Sequence, residues 1–233
     1  MNVLGRRVAA EFVGTAFLVM AVVGSGVMAS RLSPDDAGLQ LLQNSLATGA
    51  ALVALIVALQ PVSASFNPVV TLVERALGTI DTRTAASLAG AQLLGGLAGT
   101  VAANLMFGLD AVTVSGHVRT GPALWLGEVI ATIGLLVVIF GSVRSGRADR
   151  VAFAVGGYIT AAYWFTSSTS FANPAVTIAR TVTDTFAGIA PSSAPAFILA
   201  QLLGGAAGYV LVRFLHPPTA TPAVVPADRK VLS

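Results

Sequence analysis

Asn67 and Asn173, each followed directly by proline, are the residues best placed to do chemistry here, and that chemistry is hydrogen-bond exchange, not bond making. They sit in Ser65-Phe66-Asn67-Pro68-Val69-Val70-Thr71 and in Ser170-Phe171-Ala172-Asn173-Pro174-Ala175-Val176-Thr177, 106 residues apart. Asparagine is a strong helix N-cap and proline is favoured at the first helical position, so both dipeptides read as helix starts. A capping Asn turns its side-chain oxygen to the helix's own amides and keeps its NH₂ group for a donor role. If the two starts face each other, both NH₂ groups and both positive helix ends converge on one point. Such a site favours a neutral solute with oxygen lone pairs and repels cations. The backbone just before each start, 61–66 and 166–172, can add carbonyl acceptors along the path.

Glu11 and Glu128 are the only acids deep inside apolar segments. A carboxylate at such a depth costs roughly 2.5–3.5 kcal/mol on insertion scales, so each must have partners. One reading is a proton relay for coupled transport. The other, favoured because the two acids are repeat-related and far from any histidine, is a structural carboxylate that accepts backbone N–H bonds from the re-entrant loops. His117 falls in an outer loop and His216 at the end of the last span. The single lysine, Lys230, leaves no phosphate-binding loop, and cysteine is absent. With no visible metal constellation or nucleophile–base pair, the sequence points to neither an enzyme nor a cofactor-bearing protein.

The elements that must hold these residues are membrane spans. Of 233 residues 55% are hydrophobic and 10% charged, with mean hydropathy +0.82, against about 25% charged in an ordinary soluble domain. A pI near 10.0 would point to nucleic acid in a soluble chain, but here the arginines lie in short loops between apolar spans. Six spans are expected, at about 8–28, 39–59, 84–107, 121–141, 151–169 and 194–215, with two half-length stretches at 67–78 and 173–183. The first span is too long for a signal-peptide core and contains Glu11, so cleavage is not expected. Placing both termini in the cytoplasm puts ten of the thirteen basic residues inside and leaves Arg31, Arg119 and Arg180 outside.

The chain also repeats. Ala91-Gln92-Leu93-Leu94-Gly95-Gly96 returns as Ala200-Gln201-Leu202-Leu203-Gly204-Gly205, and Glu11 with Thr15 and Leu18 returns as Glu128 with Thr132 and Leu135. Each half holds three spans, an odd number, so the halves lie inverted across the membrane. One channel-like domain over 1–216 is expected, with halves at about 1–108 and 121–216, followed by a disordered cytoplasmic tail over 217–233. The pairs Gly95/Gly99 and Gly204/Gly208 have the spacing that lets helices approach closely.

Ala10-Glu11-Phe12-Val13-Gly14-Thr15, the Asn67-Pro68-Val69 motif and Asn173-Pro174-Ala175 together resemble the aquaporin, or major intrinsic protein, family across residues 5–215. The resemblance implies an all-α hourglass of six transmembrane helices and two re-entrant half-helices. It also implies a pore through each protomer, a homotetramer in the cell (inner) membrane, and passive flux of water or small neutral solutes. Two departures stand out. Val69 replaces the alanine of the first motif, where the family's residue faces the opposing half-helix. Val176 replaces the arginine that usually follows the second motif at the outer constriction. Carried over by spacing from Asn173, two further filter positions are Ala161 and Ser170; the one on the second span is Thr48 or Ala47, since the loop before Asn67 is one residue shorter than usual in the family. These residues are small or aliphatic, so a wide neck is expected, with Arg180 one turn further out holding a positive charge in the vestibule.

Bacterial channels of this kind that lack the filter arginine resemble those tied to arsenic resistance, which makes arsenous acid a specific expectation beside glycerol and urea. A water-selective channel is the nearest alternative. A proton-coupled transporter using Glu11 or Glu128, and a scaffold without transport, are the alternatives from other classes.

Overall fold

A computed structural model describes residues 3–217. The first half comprises α1 (Val3–Leu32), α2 (Ala37–Leu59), the short α3 (Pro68–Ala76) and α4 (Thr82–Met106). The second comprises α5 (Pro122–Arg144), α6 (Val151–Phe165), the short α7 (Pro174–Ala179) and α8 (Ala194–Leu215). Single 3₁₀ turns precede α6 and follow α7. No strand occurs among the described residues. The expected tail lies outside them, Pro217 apart.

Several starts have a local cause. Asp36 and Asp81 accept the amides of Leu39 and Thr84, and Pro122 opens α5. The exterior is apolar, with Phe17, Leu94, Leu126, Phe153, Leu199 and Phe214 all exposed. The interior holds polar groups such as Glu11, Gln92, Glu128 and Gln201 at 0% exposure. This inversion of the soluble pattern fits a hydrocarbon solvent, in which backbone polar groups must be satisfied internally. Five helices (α1, α2, α4, α5 and α8) are long and apolar enough to cross a membrane.

α6 is the exception, and it corrects the expected span 151–169. It ends at Phe165, because Thr166-Ser167-Ser168-Thr169-Ser170 offers hydroxyls that compete for backbone groups. Thr169 and Ser170 then adopt φ of 62° and 52°.

Glycines set the helix spacing. A Cβ on Gly95 or Gly99 would stand 2.3 or 2.2 Å from the carbonyl oxygens of Phe12 and Ala16, so α1 and α4 meet backbone to backbone. Gly204 lies close on α5 too, where a Cβ would come 2.7 Å from the Val129 oxygen. α2 and α6 cross at Gly49 and Gly156, each glycine lying close to the other's carbonyl. These three helix pairs leave a central space into which α3 and α7 descend from opposite faces.

Candidate pore

The residues just before the two asparagines, Phe66 and Ala172, have φ of 48° and 47°. Left-handed backbone is unfavourable for residues other than glycine, by about 1–2 kcal/mol each, and persists only where surroundings fix it. Here it swings each carbonyl across to the opposing half. Asn173 Nδ2 donates to Phe66 O at 2.8 Å, and Asn67 Nδ2 donates to Ala172 O at 2.7 Å. Meanwhile Asn67 Oδ1 accepts the Val69 amide at 2.9 Å, and Asn173 Oδ1 accepts those of Ala175 and Val176 at 2.9 and 3.3 Å. The expectation of wholly free NH₂ groups is thereby halved. Each amide commits one N–H to the opposite loop and has one more for a solute, and both side chains border the cavity.

Behind each loop sits a carboxylate. Glu11 accepts the Ser63 hydroxyl at 2.6 Å, the Ser65 and Phe66 amides at 2.8 and 2.7 Å, and Gln92 Nε2 at 2.8 Å. Glu128 accepts the Phe171 and Ala172 amides, both at 2.8 Å, and Gln201 Nε2 at 2.6 Å. The same glutamines donate to Thr71 and Thr177 on the half-helices, at 2.9 and 2.8 Å. The carboxylates thus tie loop, half-helix and long helix together. Neither borders the cavity.

The cavity measures about 310 Å³. Leu52, Ile56, Leu135, Ile139, Val155 and Ile159 give it apolar walls, while residues 62–66 and the two asparagines form a polar track. The mouth on the side of the chain termini carries Arg7, Gln60, Ser65 and Glu74. The opposite mouth gathers Thr48, Tyr163, Ser170, Phe171, Val176 and Arg180. There Thr48 and Tyr163 share a hydroxyl–hydroxyl bond of 3.2 Å. The Arg180 guanidinium lies 3.5 Å from the Phe171 ring centroid, donates to the Ala187 carbonyl, and is 3% exposed. Arg119 donates to the Gly188 and Phe186 carbonyls, stitching the loop before α5 to the one before α8.

Of the filter positions read from spacing, Thr48, Ser170 and Val176 border the cavity, and Ala47 instead borders a separate outer groove. Ala161 is a correction. It is exposed on the far side of α6, whose cavity stripe is Val151, Val155, Ile159 and Tyr163. The loop 166–172 winds through three left-handed residues, so spacing counted back from Asn173 fails on the helix. Val69 is 2% exposed and packs on α8, where a Cβ on Gly205 would stand 2.7 Å from it. Pro68, Pro174 and Ala175 are buried behind the asparagines and off the cavity wall. Arg180 is neither solvated nor remote, and Tyr163 and Phe171 put aromatics where none was expected. The period of the α6 stripe could have revealed Tyr163, and the 106-residue offset from Arg180 could have revealed Glu74. No group of residues able to hold a metal occurs among those described.

Comparisons with known proteins converge. The model of a family described as "Major intrinsic protein" matches residues 2–163 and 142–230. "Aquaglyceroporin AqpS" of Rhizobium meliloti (strain 1021) is 51% identical over 216 residues, covering 92% of each chain. The X-ray structure of the aquaglyceroporin from Plasmodium falciparum superposes with a TM-score of 0.68 at 19% identity, over 92% of this chain and 96% of that one.

Proposed function

The chain belongs to the major intrinsic protein family of membrane channels, and on that premise we propose that it is a passive pore for small uncharged solutes up to glycerol size, arsenous acid among them. The observation that carries this reading is the reciprocal lock of Asn67 on Ala172 O and Asn173 on Phe66 O at the middle of one cavity. Two positive helix ends and two spare N–H donors there attract a hydroxyl oxygen and oppose cations. The apolar wall opposite lets carbon or a bare metalloid face slide past without competing for the donors.

At the Arg180 mouth, Thr48, Ser170 and Val176 form the neck with Tyr163. Val176 replaces a long cation by a short aliphatic group, which favours solutes bulkier than water. Arg180, one turn further along, keeps a positive charge at the same mouth. Glu11 and Glu128 are structural. Their off-path position and three or four hydrogen bonds each support that role over proton coupling. In this reading the chain is a homotetramer in the cell membrane, its termini cytoplasmic, as the charge bias supports. Tyr163 and Arg180 at one mouth support a second reading, a water-selective pore.

Stopped-flow light scattering on proteoliposomes under water, glycerol and arsenous acid gradients separates the two. Rapid glycerol and arsenous acid flux in the wild type, falling about tenfold in Val176→Arg while water persists, is the expected result. Fast water flux with both larger solutes excluded would replace the wide-neck reading by the water-selective one.

A further inference from the structure

α3 and α7 open alike, as Pro-Val-Val-Thr and Pro-Ala-Val-Thr, and then diverge in charge. Seven residues after Asn67 stands Glu74, and seven after Asn173 stands Arg180. Both border the same cavity, at opposite mouths. Arg180 suits its place, since the carbonyl end of a helix is negative. Glu74, near the carbonyl end of α3, opposes that field. Breaks of a local rule are expected at functional or strained positions, and this one lies on the cavity wall.

We propose that Glu74 and Ser65 form a second solute-binding subsite, at the termini-side mouth, which takes small neutral polyhydroxylated solutes. The proposal rests on the channel reading and adds a specificity-determining residue to it. Ser65 Oγ stands 3.1 Å from both Glu74 carboxylate oxygens. One hydroxyl hydrogen shared between two oxygens leaves most of their lone pairs for the cavity. Arg7, on α1, borders the same mouth and has no ion pair with Glu74 among the described residues. Solute hydroxyls can donate to Glu74 and accept from Arg7, so a polyol shedding water on entry meets both partners it loses.

The test is the ratio of glycerol to water permeability in proteoliposomes carrying wild type, Glu74→Leu and Glu74→Gln, each checked for monodispersity by size-exclusion chromatography. Removing a charge-assisted acceptor should lower the ratio about tenfold in Glu74→Leu, with water flux held within about twofold. Glu74→Gln, which keeps an acceptor oxygen without the charge, should lower it about threefold. If Glu74→Leu does not fold, Glu74→Gln alone decides. A ratio unchanged in a folded variant, whether both fluxes persist or fall together, overturns the subsite and leaves the channel reading standing. Wild-type vesicles no faster than empty lipid overturn both.

Discussion

The two halves agree at the centre and disagree at the mouths. Around each asparagine the same parts recur: a buried carboxylate on the loop amides, a glutamine bridging it to a half-helix threonine, and a left-handed residue aiming its carbonyl across. Away from the centre α3 runs nine residues and ends past Glu74, while α7 runs six and passes into a 3₁₀ turn at Arg180. The loop before α3 has one left-handed residue and the loop before α7 has three. The parts common to both halves are those that hold the centre together, and in the proposed reading the unmatched mouths set which solutes pass.

The largest expected effects test the shared centre. Glu11→Ala and Glu128→Ala each strand two buried loop amides and a glutamine, and each should cost about 3–5 kcal/mol of stability. Thermal unfolding in detergent should show similar losses for both, with no channel activity. A wide gap between them would mean that the halves share geometry without sharing weight.

A smaller effect, opposite in kind at the two mouths, is expected for ion exclusion. Removing the buried cation in Arg180→Ala should raise proton and potassium leak on the order of tenfold, as read by a pH-sensitive dye in vesicles. Glu74→Gln should leave the leak unchanged or lower. Equal leak in both variants would show that exclusion rests on the central helix ends alone.

The smallest effect probes a mismatch in packing. Gly205 faces Val69, whereas its counterpart Gly96 lies 3.2 Å, by an added Cβ, from the Ala175 carbonyl. Gly205→Ala should therefore destabilise by about 1–3 kcal/mol, and Val69→Ala in the same chain should restore much of it. Gly96→Ala should cost less, since its neighbours need yield only a little. Thermal melts of the three variants against the wild type give the comparison directly.

The helix starts were legible in the sequence because Asn-Pro carries its own geometry, and the repeat placed the two in register. The bonds of Glu11 and Glu128 to the loop amides were legible because each carboxylate needs partners at that depth and each half offered a loop to supply them. What escaped depended on contacts between distant segments. Ala161 looked right by counting, yet a loop's path decides which face of α6 meets the cavity. Val69 points where Gly205 leaves room, far along the chain. Arg180 is buried because Phe171 and the Ala187 carbonyl receive it, and nothing in the helix before it announces either.

The crossed asparagine bonds also fix an order of events during synthesis. Phe66 O and Asn67 Nδ2 leave the ribosome 107 and 105 residues ahead of the partners that satisfy them. At 5–20 residues per second that delay is on the order of ten seconds, spent beside a bilayer offering no substitute partner. Glu11 and Gln92 can hold the first re-entrant loop during that delay, but its crossed bonds close only when the second loop is made. The cavity is walled by both halves, so it is enclosed only in the finished chain.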